Sequence, residues 1–88
     1  MGTVAAKLKV MPETVEIDIE ALEKSIENAI PDGAELKGIE QQPIAFGLIA
    51  LYPTVLIPDG AGGTDSVELA ISQVEGVGSV AVEAVGRI

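Results

Sequence analysis

The chain has 88 residues, no Cys, no His, and 14 acidic against 5 basic side chains, for a formal net charge of −9. A chain this short is expected to form one domain over residues 1–88 with a modest core and a stability of roughly 5–10 kcal/mol. The composition excludes disulfides, thiolate metal sites and imidazole catalysis, and it leaves almost no basic surface for a phosphate backbone.

Residues 3–11 alternate. Val4, Ala6, Leu8 and Val10 point one way and Ala5, Lys7 and Lys9 the other, the pattern of a strand with one buried face. Pro12-Glu13-Thr14 ends it. Asp18 is placed as a helix N-cap, and Ile17 and Leu22 stand at hydrophobic-staple spacing. Ile19, Leu22, Ile26, Ala29 and Ile30 then share one face, while Glu20, Glu23, Lys24 and Glu27 lie away from it. Pro31-Asp32-Gly33 stops this helix. Residues 34–41 read as a polar strand suited to a sheet edge, broken by Gln42-Pro43.

Residues 45–57 read as the longest strand, apolar on both faces, with Phe46, Leu48, Ala50 and Tyr52 on one side. Pro53 is awkward within it, and a bulge, a bend or an unpaired position is expected there. Residues 58–63 form a Gly-rich loop. Thr64 or Asp65 is expected to cap a second helix, with Glu68 completing a variant capping box. Val67, Ala70, Ile71 and Val74 give its apolar face. Val80, Val82 and Ala84 alternate in a last strand before Gly86-Arg87-Ile88.

The order β-α-β-β-α-β predicts an α+β, ferredoxin-like two-layer sandwich. Two helices lie on one face of a four-stranded antiparallel sheet in the order 4-1-3-2. The other sheet face has no helical cover, so loops, self-association or a partner must shield its apolar part.

Such a fold hosts many functions, and residues decide among them. RNA recognition needs aromatics on two central strands amid basic surroundings, and the first strand has no aromatic. Copper transfer needs paired thiolates. A phosphate-gripping site of the acylphosphatase kind needs an N-terminal Arg, whereas the only Arg is Arg87. Gly60-Ala61-Gly62-Gly63-Thr64 before a helix resembles an anion cradle but lacks the Lys of a P-loop, and a loop with an N-cap accounts for it. No pair of acids sits in an apolar setting that would tune one for catalysis. The reading is therefore a non-enzyme. Two features remain: the segment around Phe46, the only Phe, and Arg87. By position alone, Phe46 fits inward packing at a strand start as well as a protruding contact. Arg87 fits an idle terminal charge as well as a functional one.

Pro43-Ile44-Ala45-Phe46-Gly47-Leu48, followed by an apolar strand, resembles the elongation factor 1-beta guanine-nucleotide-exchange domain family. Ala6-Lys7-Leu8-Lys9-Val10-Met11-Pro12, Leu36-Lys37-Gly38-Ile39-Glu40 and Gly63-Thr64-Asp65 are similar to its short archaeal form. The resemblance implies a partner, the GTPase elongation factor 1-alpha, and an activity, faster GDP release so that GTP can load during translation elongation. It implies partner-binding residues at Ile44, Ala45, Phe46 and Gly47, with the aromatic entering a pocket on the GTPase. It implies a second contact at Arg87 and Ile88, near the magnesium and phosphates of the nucleotide site. Eukaryotic members carry Lys where Arg87 stands. The planar guanidinium leaves two routes open there: contact with phosphate or switch groups, or occupation of the metal's place. With this reading Phe46 is expected to protrude, about 25 Å from Arg87. An amino-acid-sensing regulatory module of the ACT type, paired as a dimer, shares the element order and is the alternative. No cofactor, no direct contact with nucleic acid and no membrane span are expected. No apolar run approaches the ~18–20 residues of such a span, no signal-peptide segment is evident, and a cytoplasmic location follows.

Overall fold

Six elements run in the order β1 (Thr3–Pro12), α1 (Ile19–Ala29), β2 (Glu35–Pro43), β3 (Ile49–Pro58), α2 (Asp65–Ser72) and β4 (Val77–Arg87). The computed structural model describes residues 2–58 and 64–87, and Arg87 by its backbone alone. The Gly-rich loop at 59–63 and Ile88 lie outside the described residues. The strands form one sheet in the order β2-β3-β1-β4, which is the predicted order read from the other edge. β1 pairs antiparallel with both β3 and β4, so those two strands run in the same direction on either side of it.

The period-2 pattern of β1 decides which face is buried. Ala6, Leu8 and Val10 are fully buried, and Ala6 faces Val55 while Val10 faces Leu51 across the β1–β3 ladder. Residues directly opposite share a face, so this side of the sheet meets both helices. Leu22 and Ile26 of α1 and Val67 and Ile71 of α2 join the same core. Each such buried side chain contributes about 2 kcal/mol by removal from water. Ala5, Lys7 and Lys9 occupy the helix-free side.

Helix boundaries follow local chemistry. Asp18 caps α1, its Oδ1 accepting from Glu20 N–H at 3.1 Å and Ala21 N–H at 3.3 Å. Ile30 is extended (ψ 127°), because the residue before Pro31 is driven out of the helical region. The helix therefore stops one residue short of the expected apolar face. Gly33 adopts φ +92° and turns the chain into β2. α2 departs from expectation. Thr64 holds the cap position in a helical conformation (φ −82°, ψ −14°) and makes no side-chain cap bond. Its hydroxyl donates to Glu68 Oε1 at 3.2 Å instead, so no capping box forms.

The central strands also differ in detail. The strand expected at 45–57 begins only at Ile49, and β2 runs on to Pro43, which pairs with Ile49. Pro53 sits buried within β3. The β1–β3 ladder is interrupted beside it, between Lys7↔Thr54 and Val10↔Leu51, with no change of register. That is the unpaired position anticipated for a residue without an N–H. The neighbouring irregularity falls on β2 as a register shift between Leu36 and Gly38. β4 carries two further shifts against β1, one opposite Lys7/Leu8 and one opposite Met11/Pro12. Among the described residues no helix is long and apolar enough to cross a membrane.

Candidate partner-binding site

The connection between β2 and β3 is a hairpin tip. Ile44 N–H donates to the Leu48 carbonyl at 2.8 Å and continues the ladder beyond Pro43. Leu48 N–H then donates to the Ala45 carbonyl at 3.0 Å, which closes a four-residue turn with Phe46 and Gly47 at its centre. Both central residues have positive φ, +55° at Phe46 and +82° at Gly47, the pattern of a type I′ turn. Gly takes that conformation without steric cost, whereas a side chain as bulky as Phe loses roughly 1–2 kcal/mol in it. Phe46 is the only non-glycine residue with positive φ among those described.

The ring gains nothing from the fold in return. Phe46 is 96% exposed, and Ile44 beside it is 46% exposed. A strained backbone and an aromatic held in water are two separate costs at one residue. Together they mark a position shaped by something other than the stability of the folded chain. Of the two placements that position alone left open, inward packing does not occur, because the strand starts three residues later, and the ring protrudes as the resemblance implied.

One neighbour was not anticipated. Val15, in the loop between β1 and α1, is 55% exposed, and its Cγ1 lies 4.0 Å from where a Cβ on Gly47 would stand. Val15, Ile44 and Phe46 thus make an apolar tip at one end of the molecule. The available signal was a β-branched apolar residue in a polar loop that fits neither flanking periodicity.

Arg87 is placed by its backbone at the opposite end. It pairs with Val4, and Val4 pairs with Ile57, near the end of β3. From Ile49 to Ile57 the strand climbs about 26 Å at ~3.3 Å per residue. The structure therefore brings Ile44, Ala45, Phe46 and Gly47 together and sets the end of β4 far from them.

Among the described residues, no three His, Cys, Asp or Glu side chains stand where they could hold a metal ion. No polar or charged residue among them is buried. A depression of about 610 Å³ runs along α1 and β2, lined by Asp18, Glu20, Glu23, Lys24, Glu27, Ala21 and Gln41. It is the solvated side of the helix, tied to β2 by the Gln41 amide donating to Glu23 Oε2 at 2.8 Å. What the described residues do present is an exposed apolar tip at one end of the sheet and the end of β4 at the other.

The chain belongs to the EF-1 guanine nucleotide exchange domain family, whose model matches residues 5–88. It is 57% identical over 88 residues to the elongation factor 1-beta of Natronomonas pharaonis, with all of both chains covered. It is 54% identical over the same span to that of Halorubrum lacusprofundi, again with full coverage of both. It is 48% identical to that of Methanothermobacter thermautotrophicus, covering 100% of this chain and 99% of the relative. Family membership supports a guanine-nucleotide-exchange role in translation elongation. Among solved structures, the C-terminal domain of the MgtC protein of Mycobacterium tuberculosis matches with a TM-score of 0.54 at 16% identity, covering 100% of this chain and 88% of that one. That likeness concerns the fold alone.

Proposed function

We propose that this chain binds the GTPase elongation factor 1-alpha and accelerates its release of GDP, so that GTP can reload. The observation that carries the reading is Phe46, 96% exposed at a backbone angle of +55°. In this reading Phe46 is the anchor, with Ile44 and Val15 as its apolar collar and Ala45 and Gly47 setting the turn that presents it. Arg87 and Ile88 act at the far end, in the nucleotide site. The separation of about 26 Å suits a partner of more than one domain, one gripped by the tip and the other entered by the end of β4. No covalent step is required. The exchange factor holds the nucleotide-free GTPase more tightly than the nucleotide-bound form, and by linkage the nucleotide is weakened by the same factor.

Stopped-flow release of a fluorescent GDP from the GTPase tests this. Wild-type protein is expected to accelerate release in a saturable manner. Phe46→Ala is expected to raise the half-saturating concentration. Deletion of Arg87 and Ile88 is expected to lower the saturating rate with less effect on half-saturation. No acceleration by wild type refutes the function. Full activity in both variants refutes the site.

A further inference from the structure

A partner that touches both the hairpin tip and the end of β4 must lie along the helix layer, along one sheet edge or along the helix-free face. α1 and α2 stand about 10 Å above the strands, so a surface resting on them is held away from both ends. That layer also presents Glu20, Glu23 and Glu27 of α1 together with Asp65 and Glu68 of α2. The β2 edge borders the tip but lies three strands from β4, about 14 Å at ~4.8 Å per strand. The β4 edge has the converse defect. Only the helix-free face reaches both.

The chemistry of that face differs from the rest of the molecule. Register places Lys7 opposite Thr54 and Ala84, and Lys9 opposite Ala81, so two of the five basic residues rise from the central strand with small side chains on the β4 side. Lys7 Nζ lies over the Tyr52 ring, 5.4 Å from its centroid. That cation–π contact lays the lysine stem along the sheet and leaves its charge outward. Of the acids near this strip, Glu35 and Glu40 belong to the outer strand β2, opposite Leu56 and Tyr52, and exposed Glu83 is the extra residue of the β4 bulge opposite Lys7/Leu8. A chain of net charge −9 thus carries a basic strip along the middle of its only flat side.

We propose that this face is laid against the GTPase between the two ends, with the Lys7–Lys9 strip seated on an acidic patch of that partner. The proposal rests on the exchange reading above. A second copy is the poorer occupant, because stacked sheets ~10 Å apart would bring two basic strips face to face. Charge placed in this way speeds encounter and fixes orientation, and it is screened as the Debye length falls from ~8 Å at 0.15 M salt to ~3 Å at 1 M.

The test compares charge changes of equal size on opposite faces, read by fluorescent GDP release at 0.15 M and 1 M salt. Lys9→Glu and Lys7→Glu/Lys9→Glu are expected to raise the half-saturating concentration about tenfold at the lower salt and far less at 1 M, with the saturating rate kept. Lys24→Glu on α1 makes the same change in net charge as Lys9→Glu and is expected to stay within about twofold of wild type. Because Lys7 packs on Tyr52, Lys9→Glu alone decides the matter if the double variant unfolds. Equal effects of Lys9→Glu and Lys24→Glu overturn the proposal in favour of net charge alone. Unchanged half-saturation in Lys9→Glu, with Phe46→Ala still impaired, overturns it and leaves the exchange reading standing. Absence of acceleration by wild type overturns both. A stable dimer in sedimentation that Lys9→Glu dissociates assigns the face to a second copy instead.

Discussion

Phe46→Asn should make this protein more stable and less active. Phe46 holds φ +55° at the first central position of its turn, with Gly47 at +82° following. For a bulky side chain that conformation costs roughly 1–2 kcal/mol, while Asn visits it readily because its short amide bonds the local backbone. Asn before Gly is also the pair preferred in a type I′ hairpin turn. The ring is 96% exposed, so removing it opens no cavity and forfeits no burial. The net gain is about 0.5–1 kcal/mol, and for a domain of this size 1 kcal/mol moves the melting temperature by ~4–8 °C. A rise of about 2–8 °C is expected in a circular-dichroism melt at fixed salt and protein concentration. In stopped-flow GDP release the same variant should behave like Phe46→Ala, because the ring proposed as the anchor is gone in both. A fall of several degrees would mean the ring packs on the fold, and the argument from strain would fail. A rise in melting temperature with undiminished exchange would mean that the partner does not use the ring.

Three further outcomes follow from the same structure. Asp18→Ala removes the side-chain acceptor for two free N–H groups of α1; it should cost about 1 kcal/mol, seen as a melting temperature lower by ~4–8 °C, with Asp18→Asn close to wild type. Ile26→Ala empties a fully buried position between α1 and the sheet; urea unfolding should show a loss of ~2–5 kcal/mol, a large share of the total for a domain of this size. With 14 acids against 5 bases the folded chain repels itself. Its melting temperature should climb as added KCl shortens the Debye length from ~30 Å at 0.01 M to ~3 Å at 1 M, and a flat profile would refute that account.

Much of this architecture is legible without coordinates because its signals are local and agree with one another. β1 alternates strictly, α1 has a capping Asp18 and a stop at Pro31, and β2 is polar enough to belong at an edge. What was not legible is where chain continuity conflicts with pairing. An apolar run from Ala45 onward reads as strand, but a hairpin needs residues to turn in, and the turn takes Ala45, Phe46 and Gly47 out of the strand. Periodicity cannot see this, because hydrophobicity reports burial and Phe46 is apolar for a different reason. Thr64 and Glu68 show the same limit. The residue types suit a capping box, but the cap residue is helical and the two side chains bond each other instead. Val15 escaped because its role comes from proximity to Gly47 across the end of the sheet, which no spacing along the chain encodes.

The two ends of the molecule are connected through β1 more directly than through any other element. Near Pro12 it lies beside the start of β3, and at Val4 it pairs with both Ile57 and Arg87. Within one ten-residue strand it therefore spans the distance between the hairpin tip and the end of β4, the two contacts of the proposed function. An exchange factor that grips one domain and displaces a nucleotide in another must transmit force without yielding, since any slack between the ends lowers the differential binding on which exchange depends. A central strand bonded on both sides and packed on Leu51, Val55 and two helices provides that stiffness. The irregular positions do not interrupt β1 as a strand. The unpaired site is made by Pro53 in β3, and β1 runs from Thr3 to Pro12 as one element. Under the proposed function, this arrangement separates an affinity set at the tip from a rate set at the end of β4. It follows that Leu8→Ala, far from both contacts, should lower the saturating rate of GDP release more than it raises half-saturation, at a temperature where circular dichroism shows the variant folded. An effect confined to half-saturation would mean that the ends act independently.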